Sequence, residues 1–162
     1  MIRSYISLVD GLSRLFAFIA ILLLVVAMLV ICELIFIRYV FRWPTIWETD
    51  FVVYSATAAI FLGSPYVLMT NGHVSVDLVE NALSGAPQRV LRTIARLLGL
   101  FFCAILCVAS AMFTWEAWAG GWLTSSVWQI PQWIPVFPMP IGFGMLCLQY
   151  IAEFLRPEGE AA

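Results

Sequence analysis

The sequence contains no lysine and a single histidine, His73. Its eight basic residues are therefore all arginine, and against ten acidic residues they leave a formal net charge of -2. Such a balance offers no basic field to hold a phosphate backbone, so nucleic-acid binding is excluded on electrostatic grounds. One histidine cannot supply the facing pair that commonly ligates a membrane haem. No HExxH, GxSxG or Walker loop occurs, so neither metalloprotease nor hydrolase nor nucleotide-driven chemistry has its residues here. Charge of either sign is scarce: 11% of the 162 residues are charged, whereas soluble domains carry about 25%. Too little polar surface exists to cover a water-soluble globule. No enzyme activity, cofactor or metal is expected.

The four cysteines, Cys32, Cys103, Cys107 and Cys147, form no CxxC pair. They read as small buried hydrophobes, although Cys103 and Cys107 share a helix face at i, i+4. Low-complexity linkers and internal repeats are also missing, which argues against the duplicated halves of a complete secondary transporter.

What the chain does have is long apolar runs, making up 63% hydrophobic residues. Four of them are long enough to cross a bilayer, at about 15–37, 51–70, 97–118 and 134–155. The first follows Arg3 and Arg14 but is too long for a cleaved leader and lacks a small-residue exit, so it should remain as an anchor helix. A Ser64-Pro65 pair lies late in the second run, and Pro135, Pro138 and Pro140 crowd the start of the fourth, where proline suits only an opening turn.

The stretch 74–83 is too short and polar to span. Val74, Leu78, Val79, Ala82 and Leu83 share one helical face with Asp77, Glu80 and Asn81 opposite, which predicts an amphipathic helix lying flat at the interface. His73 precedes it and Leu78 would be its buried anchor. Arg89, Arg92 and Arg96 recur at i, i+3, i+7, a stripe placed to reach lipid phosphates or the acids of the flat segment. The expected fold is all-α integral membrane: one domain, 1–162, with four transmembrane helices plus a cytoplasmic interfacial helix between the second and third.

Arginine placement sets the orientation. With both termini cytoplasmic, six arginines lie inside and only Arg38 and Arg42 outside. All seven tryptophans then fall on or near the outer side. An aromatic belt alone would populate both interfaces. The excess points to a protein-docking surface built from Arg42, Trp47, Glu48 and Asp50 at one corner and Ser125, Ser126, Trp128 and Trp133 in a loop. Glu33 and Glu116 near helix ends read as anchors or interhelix partners.

Several blocks in order, Trp47-Glu48-Thr49-Asp50, Ile60-Phe61-Leu62-Gly63, Asn71-Gly72-His73-Val74-Ser75-Val76-Asp77 and Ser125 to Trp133 followed by Pro140-Ile141-Gly142, together resemble a known family. It is the small permease subunit of tripartite ATP-independent periplasmic (TRAP) transporters, the DctQ-like proteins. The likeness spans most of the chain from Arg38 to Tyr150. The acids stand at Glu48 and Asp50 rather than adjacent, and Asn71 stands where a basic residue often precedes the glycine. The resemblance implies a bacterial inner-membrane importer of organic acids driven by sodium. Its partners would be a large membrane subunit, a periplasmic substrate-binding protein and the surrounding lipids, with this chain bracing the large subunit. Two other readings compete: a membrane anchor of a redox complex, and a stand-alone homo-oligomeric small transporter. Nothing in the chain specifies the solute.

Overall fold

A computed structural model describes residues 2–70 and 86–155. Helix α1, Ile2–Phe36, continues without a break into a π-helical turn, Ile37–Phe41, which ends at Arg42 in the left-handed region with φ 53 and ψ 29. Helix α2 spans Glu48–Thr70, α3 Ala86–Ala119, the single turn α4 Trp133–Val136, and α5 Pro138–Leu155. Four helices are long and apolar enough to cross a membrane. No strand is present among the described residues; one isolated antiparallel bridge joins Leu123 to Pro131.

The first helix is longer than its apolar run because nothing from Ile2 to Leu15 breaks it, so polar residues such as Asp10 and Ser13 ride on the same rod. At 1.5 Å per residue α1 alone is about 52 Å long, well beyond a hydrocarbon core of about 30 Å. In the proline cluster, the chain uses Pro135 within the one-turn α4 and Pro138 to open α5, where a missing N–H costs nothing.

Helix α5 is the hub: it lies against α1, α2 and α3, while α1 packs along α2 and α3 joins the bundle chiefly through α5 and α4. The buried apolar side chains are mostly alanines, including Ala17, Ala20, Ala27, Ala59, Ala117 and Ala152. Small residues let helix backbones approach where no hydrophobic effect drives helices together. Large apolar side chains point outward instead, as with Phe101 at 66% exposure on α3. Such a surface suits lipid or a partner, not water.

The close approach of α2 and α5 has a local cause. Pro65, inside α2, cannot donate to the carbonyl four residues earlier, that of Phe61. Gly142 of α5 faces that freed carbonyl: a Cβ added there would stand 2.5 Å from the Phe61 oxygen. Only glycine lets its Cα hydrogens meet this acceptor. One residue along, the Ser64 hydroxyl donates to the Ile60 carbonyl at 2.6 Å, so the helix passes the proline intact.

Of the four thiols only Cys103 is buried; Cys32 is exposed and Cys107 and Cys147 are half-buried. The expectation of four buried cysteines thus fails for Cys32, which sits on an outward face of α1. The predicted interfacial helix, 74–83, lies outside the described residues.

Candidate functional site

The two ends of the bundle are built differently. At the tryptophan-bearing end, α2 begins as Phe51 N–H closes onto the Trp47 carbonyl at 3.0 Å. Glu48 and Asp50 therefore occupy its first turn, where the positive end of the helix favours acids. Glu48 is only 7% exposed, and its Oε2 is buried with no hydrogen-bond partner. Asp50 is half-buried, and Arg42 is exposed just before this corner.

Across from it, residues 120–132 form a tight reversal. Gly121 has φ 61, Thr124 N–H donates to the Ile130 carbonyl at 2.9 Å, and Gln132 N–H donates to the Trp122 carbonyl at 2.8 Å. The tip closes with Gln129 N–H on the Ser126 carbonyl at 3.2 Å, Gln129 taking φ 45. The hydroxyls of Thr124 and Ser126 bond each other at 3.1 Å. Ser125 is exposed and Ser126 half-buried.

The structure brings the two predicted halves together. The rings of Trp47 and Trp128 lie 6.1 Å apart at 53°, and Trp47 also meets Phe51 edge-on at 6.1 Å. Both tryptophans keep much of their surface open, 41% and 39%. Trp133 sits further round, where it joins Trp115, Trp118, Phe137 and Pro140 in lining an apolar groove of about 500 Å³ between α3 and the start of α5. Corner and loop thus meet through Trp47 and Trp128 although they are far apart in sequence, and the groove is lined by residues that flank the loop.

The opposite end holds polar bonds that sequence reasoning missed. Gln149 of α5 is fully buried. It accepts from the Ser13 hydroxyl at 3.0 Å and donates through Nε2 to Asp10 Oδ1 at 3.1 Å. Tyr5 donates to the Leu148 carbonyl at 3.3 Å. A turn further along α5, Glu153 accepts from Arg96 of α3 at 3.2 Å. Glutamine in an otherwise apolar run, four residues before a glutamate, was the available signal for this joint.

Arg96, expected to reach lipid or the flat segment, is thus tied to a neighbouring helix. Arg89 and Arg92 fall in the opening turns of α3, while His73 and Leu78 lie outside the described residues. Glu33 and Glu116 are both exposed. No group of three or more metal-ligating side chains occurs among the described residues.

Helices of membrane length, an alanine-rich core, interhelix polar ties and an open aromatic end define an integral membrane helical subunit. Residues 26–158 match the family described as tripartite ATP-independent periplasmic transporters, DctQ component, and the chain belongs to that family. It is accordingly a component of a transport system and not an enzyme. A relative in Pseudomonas aeruginosa, the C4-dicarboxylate TRAP transporter small permease protein DctQ, is 35% identical over 99 residues, covering 60% of this chain and 47% of the relative. The chain thus spans about half the length of the curated relative it matches. No solved structure matches it.

Proposed function

We propose that this chain is the small scaffold subunit of a TRAP importer, a single membrane domain that braces the large transport subunit while a periplasmic binding protein delivers an organic acid for sodium-coupled uptake. Family membership over residues 26–158 supports the transport role. The substrate class in the relative's name, a C4-dicarboxylate, supports the organic-acid class. The observation that carries the docking role is the union of Trp47 with Trp128, which turns two distant segments into one exposed aromatic surface of the kind that anchors protein interfaces.

In this reading the chain sits in the bacterial inner membrane with both termini cytoplasmic, the orientation that the arginine distribution favours. The tryptophan end faces the periplasm, where Arg42, Trp47, Glu48, Asp50, Ser125, Ser126, Trp128 and Trp133 meet the partners. The segment 74–83 lies flat on the cytoplasmic face, anchored by Leu78 beside His73, with Arg89 and Arg92 reaching lipid phosphates. Rigidity is the useful property: a mobile carrier needs a wall that does not tilt.

The test is co-expression with a large TRAP membrane subunit. The two chains are expected to purify together and, with the binding protein, to take up a dicarboxylate only when a sodium gradient is imposed. Uptake by this chain reconstituted alone would contradict the proposal.

A further inference from the structure

The Glu48 carboxylate is a feature that folding alone does not explain. It is 7% exposed, its Oε2 is shielded, and no donor among the described residues reaches that oxygen. Removing a carboxylate oxygen from water without a replacement bond is costly, and native structures rarely tolerate it without another purpose. The start of α2 offers partial relief through its positive end, yet no hydrogen bond forms. Buried polarity that serves the fold is bonded within it: Gln149 and Ser13 are fully buried and bonded to each other, and Arg96, whose Nε is also buried without a partner, still donates through its guanidinium to Glu153.

We propose that Glu48 is the acceptor half of an intersubunit ion pair, completed by a guanidinium of the large membrane subunit. The inference rests on the scaffold role given above and names the chemistry of its contact. A cation is required because the orphan is a carboxylate, and charge-assisted bonds are the strong ones. A guanidinium fits best, since it is the more weakly hydrated cation and presents several N–H groups in a fixed fork. The permanent membrane partner is the source, not the transient binding protein: a buried ion pair must be desolvated each time it forms, which suits an interface made once.

Access comes from the irregular backbone at this corner. Glu48 follows directly on the connection 42–47, which opens with the left-handed Arg42. Trp47, its neighbour, rests on Trp128 of the 120–132 reversal. These are the non-helical segments at this end, so a shift confined to them is enough to admit the partner's cation to Oε2.

The experiment uses Glu48→Gln, which keeps the shape and removes the charge, and Glu48→Met, which also removes both oxygens. Each is measured twice: in the chain alone by thermal unfolding in detergent, and in the assembled complex by subunit dissociation and uptake. The expected result is a split. The chain alone unfolds at an equal or higher temperature, because an uncompensated charge has gone. The complex dissociates roughly thirtyfold more readily, the loss typical of breaking one side of a buried charge pair, and uptake falls in parallel.

A chain that is less stable by itself would mean that the carboxylate is satisfied internally, and the proposal fails. It also fails if the complex is unaffected. An intact complex whose uptake merely needs more binding protein would place the cation on that partner instead, again overturning it. If the wild-type chain does not bind the large subunit at all, the scaffold role itself is lost, a failure visible before any Glu48 variant is made.

Discussion

The Gln149 end and the tryptophan end of this bundle are held by different forces. At the first, α5 is tied to α1 through Gln149, Ser13 and Asp10 and to α3 through Glu153 and Arg96. At the second, the far end of the bundle, the helices are linked by ring contacts and a closed reversal beside an apolar groove. Polar side chains bonded inside the chain serve the fold. On the proposed reading, the aromatics left open and the acid left unbonded serve a partner outside it.

If both ends are secured by side-chain contacts, the waist between them depends on backbone fit. The largest effect is therefore expected from Gly142→Val, which drives side-chain carbon into the Phe61 carbonyl. A loss of about 3 kcal/mol in the chain's stability is expected, read from unfolding in detergent. A neutral result would mean that α2 and α5 are free to slide and that the waist is soft.

The Gln149 end should come next. Gln149→Leu removes the acceptor of the Ser13 hydroxyl and the donor to Asp10. Interhelix hydrogen bonds in membranes average less than 1 kcal/mol and reach about 1.7, so a loss of about 1–2 kcal/mol is expected for the pair. Arg96→Met breaks a partly exposed ion pair whose side chains are 20% and 13% accessible, and screening limits the cost to about 1 kcal/mol or less. That effect should shrink with added salt, whereas the Gln149 effect should not. Equal salt dependence would merge the two ties into one electrostatic cluster.

The sequence showed the helices and hid the joints. Runs such as 51–70 and 97–118 declare themselves by length and apolarity, and the structure places helices over both. Trp47 and Trp128 were each legible as outer-end residues, but their contact was not, because nothing local links positions eighty residues apart. Gly142 was legible only as part of the Pro140-Ile141-Gly142 block. Its partner, the carbonyl that Pro65 leaves free, depends on the pairing of α2 with α5. Gln149 was overlooked because one amide in an apolar helix carries no periodic signal, and Asp10 because it precedes the apolar run that defined the first span.

The smallest expected effect on the chain itself carries the central claim. The Trp47→Ala and Trp128→Ala double variant removes the joined aromatic surface but no buried core, so the chain's own stability should change by about 1 kcal/mol or less. Binding to the large membrane subunit, measured as the dissociation constant in detergent, should weaken at least roughly thirtyfold, as loss of an interface anchor worth about 2 kcal/mol requires. An unchanged dissociation constant would contradict the account, and so would a chain that loses stability as much as it loses binding, because the tryptophan end would then serve the fold alone.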